Sequence, residues 1–182
     1  MRKEDIKRHL KTYSVYDKRR TTVNHAFASA IAPADQYNDD LLCEALSFLG
    51  QNPDEELTCV FCAAPAQTWD HLVGLVKAGE LRGFGHQIGN LVPCCKECNS
   101  QKGNKAFDVF INGSSRITDD KAELVRLLRS YQRRFAKEID LSKLQRKMPN
   151  EYAEFQNVKH DIFELMKKAD EIAKQLRENV LE

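Results

Sequence analysis

The flanks of the chain show apolar residues at helical spacing. From about Arg2 to Tyr16, and again from Asp39 to Leu49, apolar side chains recur every three or four residues, which predicts two amphipathic helices. The segment Gly50-Gln51-Asn52-Pro53 ends the second helix and marks a boundary.

The C-terminal part of the chain predicts further helices. Thr118-Asp119-Asp120 is typical of a helix start, and Met148-Pro149-Asn150 interrupts the pattern that follows. A last helix is predicted from Glu151 to about Asn179, with apolar residues along one seam. That seam must pack against the rest of the chain or against a second copy, and packing within the monomer is favoured.

The centre of the chain has a different pattern. Two short apolar strands are predicted at about Thr68 to Val73 and Ile88 to Val92, joined by a glycine-rich loop and followed by a helix from near Lys96. We therefore expect an α+β fold that is mostly helical. Three regions are predicted: residues 1–56 and 111–182 are helical, and residues 57–110 form the core.

Composition narrows the class of protein. The 182 residues are 42% hydrophobic and 30% charged, enough for one domain with helical additions. There is no run of about 18 apolar residues and no apolar signal after the charged N-terminus, so we expect a cytoplasmic protein without a membrane segment. Basic and acidic residues are segregated: residues 1–20 and 119–150 are net basic, and residues 21–58 are net acidic. Such blocks can create one positive face despite a net charge of +1.

Four of the six cysteines form two pairs with metal-ligand spacing. Cys59-x-x-Cys62 and Cys95-x-x-Cys98 can each place two sulfurs on one ion from a tight turn, which predicts a structural four-thiolate zinc site. Cys94 could in principle replace Cys95, but only Cys95 has the two-residue spacing to Cys98. Cys94 is accordingly predicted to be a packing residue. Cys43 lies on the apolar stripe of the second predicted helix and is predicted to be a buried core residue.

Polar residues interleaved with these cysteine pairs resemble the HNH (ββα-metal) nuclease family in its zinc-stapled form. The resemblance rests on Asp70-His71, on Gly89-Asn90-Leu91-Val92-Pro93, and on Asn99 directly after Cys98, and it covers roughly residues 57–110. It implies that His71 is the general base, that Asp70 and Asn99 hold a catalytic Mg²⁺ or Mn²⁺, and that Asn90 orients the base. The expected activity is hydrolysis of DNA phosphodiester bonds by a restriction or phage-type endonuclease.

The chemistry of phosphodiester hydrolysis suits these residue types. An imidazole can accept a proton from water near neutral pH, and oxygen ligands suit a hard divalent cation. Neighbouring strand residues face opposite sides, so Asp70 and His71 can share one site only if the backbone twists or bulges there. His86, in the loop between the strands, is expected to contact phosphate, to assist the base, or to lie in solvent.

DNA contacts are expected from basic residues after the motif and on the next helix. The candidates are Lys102, Lys105, Arg126, Arg129 and Arg133. Cutting both strands in concert would need a homodimer, for which the C-terminal helix is the expected interface. The alternative is a catalytically inactive zinc module that binds nucleic acid or a protein partner. An intact set of Asp70, His71, Asn90 and Asn99 favours the enzyme.

Overall fold

The computed structural model describes residues 2–180. Most of the regular secondary structure is helical, and the strands form two small antiparallel sheets. The helices are α1 Val15–Ala30, α2 Asp39–Phe48, α3 Lys96–Lys102, α4 Phe107–Gly113, α5 Lys121–Phe135, α6 Leu141–Lys147 and α7 Pro149–Val180. The strands are β1 Thr68–His71, β2 Val76–Lys77, β3 Glu80–Leu81 and β4 Leu91–Cys94. Lys3–Arg8 and Ile88–Asn90 form 3₁₀ turns. The predicted α+β class with mostly helix is confirmed.

The predicted first helix, from about Arg2 to Tyr16, is wrong. Lys3–Arg8 is a 3₁₀ turn, and the α-helix begins only at Val15. A residue far along the chain determines where this helix begins. The carboxylate of Asp170 accepts hydrogen bonds from the Val15 and Tyr16 amides at 2.6 and 3.1 Å. A helix can begin where such unpaired N–H groups find acceptors. Apolar spacing within residues 2–16 carries no information about Asp170.

The chain forms two compact units. One comprises residues 28–142, and the other combines residues 1–27 with residues 143–182. The division into regions 1–56, 57–110 and 111–182 stays a prediction. Met1, Leu181 and Glu182, at the ends of two of those regions, lie outside the described residues.

The larger unit contains a β-β-α arrangement. β1 pairs antiparallel with β4 from Thr68↔Cys94 to His71↔Leu91, and α3 follows β4 after one residue. The second strand begins three residues later than predicted, because Ile88–Asn90 turns beneath α5. A Cβ on Gly89 would lie 2.3 Å from the carbonyl carbon of Phe135, so only glycine permits this approach.

Helix α5 packs this arrangement into the core. Leu128 and Tyr131 on its apolar stripe are 0% and 1% exposed. The Tyr131 hydroxyl donates to the carbonyl oxygen of Ile88 at 2.6 Å, and the Leu91 carbonyl oxygen lies 2.9 Å away. α5 therefore fixes the turn that leads into β4. Its start agrees with the prediction, since the Asp120 side chain caps the first turn.

The glycine-rich loop between β1 and β4 is more ordered than predicted. It contains a hairpin of β2 and β3, and its end is bonded to the segment before α2. The His86 amide donates to the Pro33 carbonyl at 2.8 Å, and the Asp35 amide donates to the His86 carbonyl at 3.1 Å. A Cβ on Gly85 would lie 1.9 Å from the Pro33 oxygen, so a glycine is required beside this contact. The position of His86 is thereby fixed.

The smaller unit is built on α1 and α7. Tyr16 packs edge-on against Phe163, and Phe27 packs against Phe155 with ring centroids 4.8 Å apart. Apolar residues on another part of α7 remain exposed, namely Val158, Leu165, Ile172 and Leu176. The homodimer through this helix stays a prediction. Across residues 2–180, α7 included, none of the helices combines the length and apolar character that a membrane crossing requires.

We expect Asp170→Ala to weaken the start of α1. The bonds from Val15, Tyr16 and Ser14 hold the pKa of Asp170 below its ordinary value, the Val15 amide contributing most. A lowered pKa means that the carboxylate stabilises the fold fully above pH about 4 and that this contribution is lost as the pH falls further. Amide hydrogen exchange at Val15 and Tyr16 should accelerate in Asp170→Ala. Glu171→Ala, which removes the next carboxylate on the exposed side of α7, should leave both rates unchanged.

Candidate functional site

Four cysteine sulfurs converge in the larger unit. The Sγ atoms of Cys59, Cys62, Cys95 and Cys98 all lie within 4.8 Å of one another. The Cys62 and Cys95 sulfurs are 3.7 Å apart, close to the edge of a tetrahedron with zinc–sulfur bonds of about 2.3 Å. The four residues are positioned to bind a metal ion, and thiolate ligands in this geometry fit structural zinc.

Local backbone structure presents each pair of sulfurs. In the first turn, Ala63 adopts a left-handed φ of 57° and its amide donates to the Cys59 carbonyl at 2.9 Å. In the second, Cys95 caps α3 and its sulfur accepts from the Cys98 amide at 3.4 Å. Three of the four cysteines are buried, so the cluster is shielded from water. A closed four-sulfur site holds structure and leaves no position for a reacting water.

The structure separates Cys95 from its neighbour Cys94, as the spacing predicted. Cys94 is buried outside the four-sulfur cluster, and its thiol lies 4.0 Å from the sulfur of Cys59 as a hydrogen-bond donor. This bond contributes most to a pKa of about 4 for Cys59; backbone amides of neighbouring residues lower it further, and burial opposes the change. Cys94 thus favours the thiolate that a metal requires. Cys43, predicted as a core residue, is half-buried on α2.

Arg116 is a residue of this site that the sequence analysis missed. Its Nη2 atom lies 3.9 Å from the sulfur of Cys62, and contact with the thiols of Cys98 and Cys62 raises the pKa of the guanidinium. Four thiolates and one Zn²⁺ carry a net charge of −2, which a nearby cation offsets. No spacing rule connects residue 116 to the cysteines, so only the folded chain reveals it.

Asp70 and Lys102 form a buried ion pair beside the cysteine cluster. The Lys102 Nζ atom lies 3.0 Å from Asp70 Oδ2 and donates to the His71 carbonyl oxygen at 2.7 Å. Asp70 is 8% exposed and Lys102 is 1% exposed. Burial raises the pKa of Asp70, and the charge of Lys102 opposes that rise. Apart from this ion pair, Oδ2 has no hydrogen-bond partner among the described residues.

The prediction that Lys102 contacts DNA phosphate is therefore corrected. It rested only on the position of Lys102 directly after the motif. Lys102 lies on the buried side of α3, where its ammonium compensates the charge of Asp70. A buried carboxylate that had lost this partner would be costly.

Asn99 lies on the same side of β1 as Asp70. Its Nδ2 atom donates to Thr68 Oγ1 at 3.0 Å, and the Thr68 hydroxyl donates to the Cys94 carbonyl. Thr68 and Asp70 alternate with Trp69 and therefore share one face of the strand. The helix α3 covers that face, so the two predicted metal ligands are brought to the same layer of the fold.

His71 faces the other side of β1. Its Nε2 atom lies 3.2 Å from Nδ1 of His86, and the two rings meet edge to face. Burial, then the charges of His86 and Lys102, lower the pKa of His71 to about 4, so the imidazole is neutral at pH 7. The strand pairs residue for residue through His71, so it has no bulge there, one of the two distortions that would let Asp70 and His71 share a site. The structure therefore joins His71 to His86 and not to the side chains of Asp70 or Asn99.

Asn90 is fully buried, and its side chain is connected to His71 only through hydrogen bonds to the backbone of neighbouring segments. Its side chain accepts from the Val73 amide at 2.9 Å and donates to the carbonyl oxygens of Val73 and Gly85 at 3.0 Å. These contacts tie the exit of β1 to the residue before His86. Asn90 holds the two histidine-bearing segments together through their backbone and does not touch the imidazole of His71.

The remaining predicted DNA-binding residues are exposed, and each forms an ion pair or a hydrogen bond with a nearby residue. Arg126 pairs with Glu123, and Arg129 pairs with Asp108 at 3.0 Å. Arg133 donates to the Ser130 hydroxyl at 3.2 Å, and Lys105 donates to the Gln101 carbonyl at 2.9 Å. The two acidic partners reduce the positive potential of α5, so phosphate binding by these residues stays a prediction.

Comparison with known protein families, with curated proteins and with solved structures finds no match to this chain. Its function is accordingly inferred from the chemistry and geometry of the site.

We expect Cys95→Ser to lose the bound metal, whereas Cys94→Ala should retain it. Loss of one ligand opens a site whose metal-binding free energy is about 10 kcal/mol or more, so the larger unit should melt at a much lower temperature. Zinc content by atomic emission and thermal melting by circular dichroism measure both effects. Full zinc stoichiometry in Cys95→Ser, with loss in Cys94→Ala, would make Cys94 the ligand.

Proposed function

We propose that this chain is a metal-dependent endonuclease of the HNH type that hydrolyses DNA phosphodiester bonds. The observation that carries the proposal is the β-β-α unit held by the four-cysteine cluster, with Asp70 and His71 at the end of β1 and Asn99 on α3. A restriction or phage-type role is the biological setting that we propose for this activity.

The residues around Asp70 fit a divalent cation. Asp70 Oδ2 is a buried carboxylate oxygen without a hydrogen bond, compensated by a single ammonium group. Asn99 uses its amide nitrogen on Thr68, which leaves its oxygen for another partner. When bound there, Mg²⁺ or Mn²⁺ supplies positive charge to the phosphate and the leaving oxygen. Lys102 must then release Asp70.

His71 is the proposed general base. Its Nε2 atom faces His86, so Nδ1 is the nitrogen left to accept a proton from water. Asp70 and His71 lie on opposite faces, but their Cα atoms are only about 3.8 Å apart at the end of a short strand. One phosphodiester can therefore reach both side chains only through a twist of the backbone at this strand end. Asn90 is a positioning residue, because it holds the segments that carry His71 and His86.

Two observations favour the alternative, an inactive zinc module that binds nucleic acid or a protein partner. Lys102 already compensates Asp70, and the His71 ring makes its contact on the other side of the strand. A scaffold that no longer binds a catalytic ion would be stable in this arrangement. The two readings differ in whether a divalent cation interacts with Asp70.

His71→Ala should abolish cleavage of plasmid DNA in Mg²⁺ or Mn²⁺, because it removes the proposed base from the end of β1 and leaves His86, on the interstrand loop, without the imidazole that it contacts. Zinc content and the melting temperature should remain close to those of the unchanged chain, since His71 is not part of the cysteine cluster. His160→Ala, which removes an exposed histidine from α7, should leave cleavage unaffected. Equal cutting by His71→Ala and the unchanged chain would refute this role. Failure of the unchanged chain to cut either plasmid or single-stranded DNA would favour the inactive module.

Lys102→Met should be destabilised in buffer without Mg²⁺ or Mn²⁺, and Mn²⁺ should restore its stability. Removing one partner of a buried ion pair costs about 3–5 kcal/mol, and a cation bound to Asp70 would replace the lost charge. Urea unfolding with and without Mn²⁺ measures the effect. Lys105→Met, which removes an exposed lysine just after α3, is the matched control. If Mn²⁺ stabilises neither Lys102→Met nor the unchanged chain, Asp70 does not hold a divalent ion.

A further inference from the structure

An apolar pocket lies directly beside the His71–His86 pair. It has a volume of about 320 Å³, and its lining is predominantly apolar. The lining residues that define its shape are Tyr37, Leu42, Trp69, His86, Ile88 and Leu91. His86 belongs both to this pocket and to the contact with His71, so the pocket adjoins the proposed catalytic base.

Two aromatic side chains of this pocket are exposed. Tyr37 is 79% exposed and Trp69 is 45% exposed, although both belong to the well-packed larger unit. Exposed Trp and Tyr rings beside a concave apolar surface are typical of sites that bind flat ligands. The Tyr37 hydroxyl donates to the Asp39 carboxylate at 2.6 Å, which leaves the face of its ring available for contact.

The pocket is built by contacts that join distant parts of the chain. Asp35 Oδ2 accepts from the Ile88 amide at 2.8 Å, and the backbone bonds of His86 with Pro33 and Asp35 hold the same two segments together. The segment that carries Tyr37 is therefore attached to the loop that carries His86. A preformed pocket binds its ligand with a smaller loss of conformational entropy.

We propose that this pocket receives an unstacked nucleobase of the strand that is cut. The inference rests on the proposed nuclease function and deepens it by naming the class of substrate. A base offers a flat, uncharged aromatic surface, which suits stacking on Trp69 or Tyr37. A phosphate does not suit the pocket, because the carboxylate of Asp35 belongs to its lining. That carboxylate can instead accept from the exocyclic amine of a base.

The strand geometry relates the base to the reacting phosphate. Trp69 and His71 lie two residues apart on the same face of β1, which corresponds to about 7 Å along the strand. A base in the pocket would place a neighbouring phosphate toward His71 and His86. Because a base in continuous duplex is stacked on both sides, the preferred substrate contains unpaired nucleotides, as in a single strand, a flap or a bubble.

The chain carries its own probe for this contact, since Trp69 is its single tryptophan. In buffer without Mg²⁺ or Mn²⁺, the unchanged chain is titrated with a short oligodeoxyadenylate and with an abasic oligomer of equal length and charge. We expect the base-bearing oligomer to quench the fluorescence of Trp69 and the abasic oligomer to leave it nearly unchanged. Equal quenching and equal affinity for the two oligomers would overturn the proposal.

Two variants test the aromatic residues themselves. Tyr37→Ala, followed by quenching, and Trp69→Ala, followed by anisotropy of a labelled oligomer, should each weaken binding by roughly five- to a hundredfold. Trp69→Phe should recover most of the loss. Tyr13→Ala, which removes an exposed ring from the other unit, should bind like the unchanged chain. If Trp69→Ala does not fold, Tyr37→Ala still decides, and its unaltered affinity would overturn the proposal.

The outcomes separate this inference from the proposed function. Quenching is measured without the catalytic cation and does not depend on cleavage. A chain that binds the base but cuts no DNA would refute the nuclease and leave the base pocket intact. A chain that cuts plasmid DNA without base-dependent quenching would refute the pocket alone.

Discussion

The convergence of four cysteine sulfurs is the constraint on which the rest of the larger unit depends. Two of them precede β1 and two surround the start of α3, so their convergence joins the entrance of the β-strand pair to the helix that covers it, at a position suited to a metal ion. Thiolates packed this closely repel one another unless a cation holds them. Binding of a metal ion by these cysteines would therefore be coupled to the folding of this segment.

Positively charged side chains lie beside negatively charged groups both at the cysteine cluster and in the proposed active site. Arg116 lies against the sulfurs, and Lys102, one turn beyond Asn99, neutralises Asp70. The same carboxylate cannot serve Lys102 and a divalent cation equally well. Whether Asp70 binds Lys102 or a divalent cation therefore distinguishes an active nuclease from an inactive scaffold of the same fold.

Hydrogen bonds to the backbone, as much as contacts between side chains, bring the residues of the proposed site close together. Asn90 bonds to the backbone on either side of the interstrand loop, and the loop in turn is bonded to the segment before α2. These contacts bring His86 to His71 and Tyr37 to Trp69. One anchored loop thus completes both the histidine pair and the proposed base pocket.

The sequence by itself determined the features that depend on local spacing. The two Cys-x-x-Cys turns, the order strand, strand, helix and the Asp120 cap could all be read from neighbouring residues, because each arises within a few residues of backbone. Only the tertiary structure decided that Lys102 is buried on Asp70, that His71 meets His86, and that α1 begins where Asp170 accepts its amides. Those contacts join residues far apart in the chain. Their formation depends on which faces pack together, and no periodicity within one segment specifies that.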